Sequence, residues 1–252
     1  HVPVKTLAIF DFDGTLAWTD LPETGVPRFE AITGQPWTVL TDEEAVAAGH
    51  PPSFRRKGWW SEAQSLRPPV IPEPAPPSFA NRPLFHELAA CQADPSTLVV
   101  VLTGRLEHLK PDVVRVLDQL GANLPANRIW CNSGARTEIF KLRTITRLIK
   151  RWPALSSVRI WEDRPEHAVS MYAQLSAMVG HTLQPSCDLE VRLVSREVHV
   201  GRRLDATLAA AIAATLPPEL EVSRQLAEAA QPPTQETAVQ QPPDEHQWPA
   251  LS

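Results

Sequence analysis

The chain has only three cysteines, Cys91, Cys131 and Cys187, and they are scattered with no CxxC spacing among them. That pattern gives neither a zinc knuckle nor a disulfide framework, so a reducing compartment is the expectation. Long apolar runs are missing too. No stretch approaches the roughly 18 residues of a membrane span, and the opening HVPVKTLAIF lacks the long apolar region of a secretory signal. A soluble, cytoplasmic protein with no membrane partner is therefore expected. The chain opens on His1 rather than Met, as a fragment or trimmed chain does, so a preceding targeting segment is compatible with it. Positive charge is also in deficit. A formal net charge of -5 excludes a protein that is basic all over and confines any nucleic-acid contact to a local patch.

The 252 residues, 43% hydrophobic and 21% charged, suffice for one sizeable α/β core with a small accessory module. Thr6 to Phe10 is a short apolar run ending in Asp11, Asp13 and Gly14, which reads as a buried strand delivering carboxylates to its end. Leu98 to Leu102 repeats the pattern and ends at Thr103, Gly104 and Arg105. Val158 to Trp161 does so again and ends at Glu162 and Asp163, and a weaker strand covers Arg128 to Cys131. Between them the apolar residues recur at three and four. One helix is expected from Leu106 to Leu120 with Gly121 as its stop, one from Thr137 as a cap to Pro153, and one from Pro165 to about Met178. Alternation of this kind predicts a parallel sheet with helices on both faces and ligands at the carboxyl ends of the strands.

Residues 17 to 80 interrupt that rhythm with many prolines and read as a cap-like insertion of loops and short helices over the site. Residues 189 to 200 are β-rich. The expected organisation is a catalytic domain over 1–200, a helical extension over 201–230, and a disordered tail over 231–252, where Pro and Gln dominate and little is available to bury.

Two carboxylates at alternate positions after a buried strand are able to divide nucleophilic and proton-transfer work, and Gly14 allows a tight turn that brings backbone donors close to an anion. As isolated features, Asp11 and Asp13 would only cap a turn and Thr103 a helix. The run IFDFDGTL, however, resembles the first motif of the haloacid dehalogenase superfamily, and VVVLTGR, the lysine of FKLRT and WEDR follow in that superfamily's order. The resemblance covers residues 5 to 180. It implies an α/β, Rossmann-like parallel sheet and a magnesium-dependent phosphohydrolase. Asp11 would attack phosphorus to give an aspartyl-phosphate, and Asp13 would protonate the leaving group and then activate water. Thr103 would donate to a phosphoryl oxygen beside Gly14 and Gly104. Lys141 would neutralise the phosphate, with Arg143 as its nearest rival. Asp11, the Asp13 carbonyl and Asp163 would hold Mg²⁺, with Glu162 acting through water.

The superfamily's usual further aspartate after the fourth motif is replaced by Glu166 and His167. With EDRxxH, FKLRT and the Trp59–Trp60 pair, the chain is similar to the Swiss Army Knife RNA-repair-like branch, which implies phosphorylated RNA ends as substrate. Trp59 and Trp60, after Arg55, Arg56 and Lys57, fit either base stacking beside a phosphate-attracting patch or the small core of the insertion. His167 either orients Asp163, touches substrate or is structural. Cys131, Asn132 and Ser133 fit a site rim or an ordinary loop. The remaining alternatives are a small-metabolite phosphatase and a non-catalytic binding module on the same fold. Dehalogenation of a carbon centre would leave Asp13 superfluous.

Overall fold

The computed structural model describes residues 2–37 and 58–217. Six strands form one sheet: β1 (Thr6–Phe10), β2 (Thr97–Leu106), β3 (Ile129–Asn132), β4 (Ser157–Glu162), β5 (Asp188–Leu193) and β6 (Arg202–Arg203), in the order β3-β2-β1-β4-β5-β6. All neighbours are parallel except the short β6, which runs antiparallel to β5. The helices among the described residues are α1 (Pro22–Thr33), α2 (Arg82–Ala93), α3 (Lys110–Leu120), α4 (Thr137–Arg151), α5 (Pro165–Met178) and α6 (Ala206–Thr215). This is the expected α/β fold. None of the described helices is long and apolar enough to cross a membrane.

β1 is apolar on both faces because it is the central strand. Alternate side chains go to opposite sides. Ala8 and Phe10 join Val99, Val101 and Trp161 under α2 and α3, whereas Leu7 and Ile9 join Val100, Val158 and Ile160 under α4 and α5. The Phe10 and Trp161 rings stack at 4.2 Å, next to the strand end that carries Asp11.

Several element boundaries differ from expectation. The helix after β2 begins at Lys110, not Leu106: the strand continues to Leu106, and a 3₁₀ turn spans Glu107–Leu109. Pro111 explains this, because its fixed φ and missing N–H suit a first helical turn but would break a helix already under way. Thr137 is the first helical residue rather than the cap; Arg136 occupies that position and makes no side-chain cap bond. The β-rich stretch after Leu189 is strand only to Leu193, because Ser195 turns the chain by accepting from Glu197 N and Val198 N. α6 ends at Thr215, with Leu216 forced into an extended conformation by Pro217. The tail over 231–252 and the rest of the helical extension lie outside the described residues.

Between β1 and α2 the described residues form α1 and three 3₁₀ turns. The base of this excursion is stitched to the strand end. Asn81, fully buried, donates through Nδ2 to Thr15 O at 2.9 Å and His199 O at 2.7 Å, and Ala17 pairs with Ala80.

Candidate active site

The carboxyl ends of β1, β2 and β4 and the first turns of α4 converge on a cavity of about 180 Å³ lined by Asp11, Asp13, Gly104, Arg105, Lys141 and Arg164, with Trp60 at its side. Asp11 extends the β1 ladder by one bond, its N–H donating to Trp161 O at 3.0 Å, so its side chain is fixed by the sheet itself. Lys141 Nζ lies 2.6 Å from Asp11 Oδ1 and 2.6 Å from Glu162 Oε2, and all three residues are buried. Helix geometry brings Lys141, not Arg143, to the cavity. Two residues along α4 is 200° round the axis, so Arg143 faces solvent when Lys141 faces the cavity.

Charge is unevenly balanced here. Burial raises the Asp11 carboxyl to about 6, with Glu162 adding to the rise and Lys141 opposing it. Burial disfavours the Lys141 ammonium, but Asp11 and Glu162 outweigh it and hold the group above its usual range. Glu162 is buried as well, yet Lys141 and then His167 keep its carboxyl well below the usual carboxylate range. At Asp163 the opposing charges of Lys141 and Arg164 are too weak to prevail. Burial, then Asp11 and Glu162, push it up to about 9. The cluster therefore favours a proton or a cation at Asp163, because Lys141 and Arg164 do not outweigh burial and the two neighbouring carboxylates.

Asp11, Glu162 and Asp163 offer oxygens that all lie within 4.8 Å of one another. A hard divalent cation such as magnesium accepts such donors. Gly14 leaves room for this cluster: its φ is +66°, and a Cβ there would collide with Asp163 Oδ2. The residues thus fit a small hard cation, with Asp163 better available than Glu162, whose Oε2 is already taken by Lys141.

Asp13 sits on the other side of the cavity, and its partner was not anticipated from the sequence. Arg105, 1% exposed, grips it as a fork: Nη2 to Oδ1 at 2.8 Å and Nε to Oδ2 at 2.9 Å. Thr19 Oγ1 donates to Oδ1 at 2.7 Å. The remaining Arg105 nitrogen, Nη1, donates to Ser65 Oγ at 2.6 Å and Trp60 O at 3.2 Å, which ties the strand ends at the cavity to the excursion after β1. The one available signal was an arginine directly after the Thr103–Gly104 strand end.

Thr103 is fully buried; its Oγ1 accepts from Arg105 N at 3.1 Å, which leaves the hydroxyl proton free to be donated. Gly104 serves a second purpose besides lining the cavity. A Cβ there would lie 2.7 Å from Thr137 Cγ2, so the glycine lets α4 approach β2 and bring Lys141 into range.

The tryptophan pair separates. Trp59 is core: it is 3% exposed, its Nε1 donates to Asp20 O at 2.8 Å, and its ring fills the space left by Gly25 against Trp37. Trp60 lines the cavity, with the Arg105 and Arg164 guanidinium carbons 4.8 and 6.0 Å from its ring centre. Arg164, also unanticipated, contributes a guanidinium whose charge is favoured by Asp11 and Asp163 despite burial. His167 is buried with Nδ1 3.6 Å from Glu162 Oε1, beside Glu162 rather than Asp163. Asn132 lines the cavity but spends its side chain on the turn at Gly134 and Ala135. Burial pushes the Cys131 thiol up to about 12, so it is inert. Arg55, Arg56 and Lys57 lie outside the described residues.

A parallel sheet ordered 3-2-1-4-5, with an aspartate pair leaving its central strand and a lysine and acidic pair meeting it, defines a haloacid dehalogenase-type protein. The chain matches the family described as HAD domain family 1 in Swiss Army Knife RNA repair proteins over residues 41–207, two thirds of its length, and belongs to that family. The matched span contains Thr103, Lys141 and Asp163; Asp11 and Asp13 precede it. No solved structure matches the chain. Membership points to phosphatase-type chemistry.

Proposed function

We propose that the protein is a magnesium-dependent phosphomonoester hydrolase or phosphotransferase that works through a phosphorylated Asp11 and acts on phosphorylated RNA ends. The observation that carries this reading is the buried Asp11 carboxylate on the end of the central strand, 2.6 Å from the Lys141 ammonium, with Asp13 in the same cavity. Asp11, Asp163 and the Asp13 carbonyl would hold Mg²⁺, which when bound neutralises phosphate charge and aligns it with the nucleophile. An Asp11 oxygen attacks phosphorus, the bond to the leaving oxygen breaks, and Asp13 supplies that oxygen with a proton. Water then attacks phosphorus, Asp13 takes the water's proton, and the Asp11 carboxylate is released. Lys141 screens the charge on Asp11 and on the incoming phosphoryl group, and Thr103 donates its hydroxyl to a phosphoryl oxygen.

Every donor around Asp13 points at its carboxylate, an arrangement suited to the water-activating half of the cycle. Protonating a leaving oxygen requires Asp13 to turn out of the Arg105 fork. At about 180 Å³ the cavity is below the roughly 300 Å³ at which ligand pockets usually begin. It admits a phosphoryl group and the atoms next to it, and leaves the rest of an RNA end on the surface.

The test is phosphate release, with magnesium, from 3′- and 5′-phosphorylated RNA and DNA oligonucleotides, sugar phosphates and p-nitrophenyl phosphate. Asp11→Asn should abolish turnover without unfolding the protein. Normal activity in that variant refutes the mechanism; turnover of sugar phosphates alone refutes the RNA-end reading in favour of a small-metabolite phosphatase, and no release from any ester favours a binding module.

A further inference from the structure

α4 has an outer face that its role in holding Lys141 does not explain. Its sequence, TEIFKLRTITRLIKR, contains five basic residues and a single acidic one, Glu138. The buried set Lys141, Leu142, Thr144, Ile145, Leu148 and Ile149 faces the protein interior. At 100° per residue, Lys150, Arg143, Arg147 and Arg151 fall within one stripe about 100° wide on the side opposite that buried set. All four are exposed, and among the described residues none of the four is ion-paired. An ordinary solvated helix face mixes both signs through i,i+4 pairs. Here, in a chain of net charge -5, the stripe is uniformly positive.

Its position matters as much as its charge. α4 runs antiparallel to the strands, so its first turn lies at the carboxyl edge of the sheet, where Thr137 and Lys141 line the cavity. The stripe starts one turn beyond that opening and runs to the far end of a helix about 22 Å long. The cavity encloses little beyond a phosphoryl group, so a long substrate must leave it across the surface. Repeated positive charge along a line is complementary to the backbone of a nucleic-acid strand and has no counterpart in a sugar phosphate.

We infer that the solvent face of α4, through Arg143, Arg147, Lys150 and Arg151, is a track for the phosphate backbone of a nucleic-acid strand whose phosphorylated end occupies the cavity. This rests on the RNA-end reading above for the identity of the end, but its test does not require turnover.

The measurement is fluorescence anisotropy of labelled 12-nucleotide single-stranded RNAs carrying a 5′- or 3′-phosphate, bound to the Asp11→Asn protein at 50–200 mM salt. A second protein adds Arg143→Gln, Arg147→Gln and Lys150→Gln; Gln keeps helix propensity, and Arg151 is retained for the helix C-terminus. Loss of three phosphate contacts should weaken binding roughly tenfold to a hundredfold and reduce the slope of log K against log salt by about 2, since each single-strand contact contributes about 0.7. In the protein with intact Asp11, the same triple substitution should leave kcat/KM for p-nitrophenyl phosphate unchanged. Equal affinity and equal salt slope in the two proteins overturns the track, as does failure of the Asp11→Asn protein to bind either RNA. Loss of p-nitrophenyl phosphate turnover in wild type would count against the phosphatase reading and leave the binding comparison standing.

Discussion

Replacing Asp163 by Asn should stabilise the metal-free protein while removing much of its capacity to bind a divalent cation. Burial, Asp11 and Glu162 raise the Asp163 carboxyl from 3.8 to about 9. Between those values the folded state holds a proton that the unfolded state has lost, so stability falls as pH rises, by about 1.4 kcal/mol per unit. At pH 7 the accumulated penalty approaches ~4 kcal/mol. Asp163 is part-exposed, so screening reduces this to ~2–4 kcal/mol, equivalent to a rise in Tm of roughly 5–10 °C for the Asn variant. Asn matches the protonated acid in shape and carries no charge at any pH. The assay is urea denaturation of both proteins in EDTA from pH 5 to 9, where the gap should widen with pH. With millimolar Mg²⁺ the order should close or reverse, because only the wild type gains binding energy from the cation. Parallel stability curves in EDTA would refute the claim that folding raises the Asp163 carboxyl.

Arg105→Lys keeps the charge but loses the fork on Asp13; kcat should fall by about 10–100-fold with KM little changed, and wild-type kcat would mean that the fork does not position Asp13. Trp59→Leu should lower stability by ~2–4 kcal/mol in thermal or urea melts, whereas Trp60→Leu should leave the melt within ~1 kcal/mol and alter KM for oligonucleotides; the opposite pattern would reverse their assignments. Gly104→Ala must push Thr137 and the start of α4 away from β2, so kcat should drop at least tenfold as Lys141 withdraws from Asp11, with unchanged kcat excluding that coupling. Native protein should leave Cys131 unlabelled by iodoacetamide at pH 8 and expose it on unfolding, which mass spectrometry reads directly.

The sequence by itself determined the sheet and the cast of its active edge. Period and composition are local properties, so the apolar runs before Asp11, Thr103 and Glu162 could be read as strands, and the order of motifs placed their ends together. The 3.6-residue period of α4 then separates Lys141 from Arg143, but only once the buried side of the helix is known. Tertiary structure decided the rest, because those pairings join residues far apart in the chain. Asp13 and Arg105 are separated by 92 positions, and Arg105 and Ser65 by 40. Nothing near Asp13 marks the guanidinium that holds it. Trp59 and Trp60 are indistinguishable by residue type, and it is Gly25, on another helix, that receives one ring and leaves the other beside the cavity. The same holds for the acidic pair. Glu162 and Asp163 are adjacent, yet the strand's alternation turns Glu162 toward Lys141 and His167 and leaves Asp163 facing Gly14, where Lys141 and Arg164 do not outweigh burial.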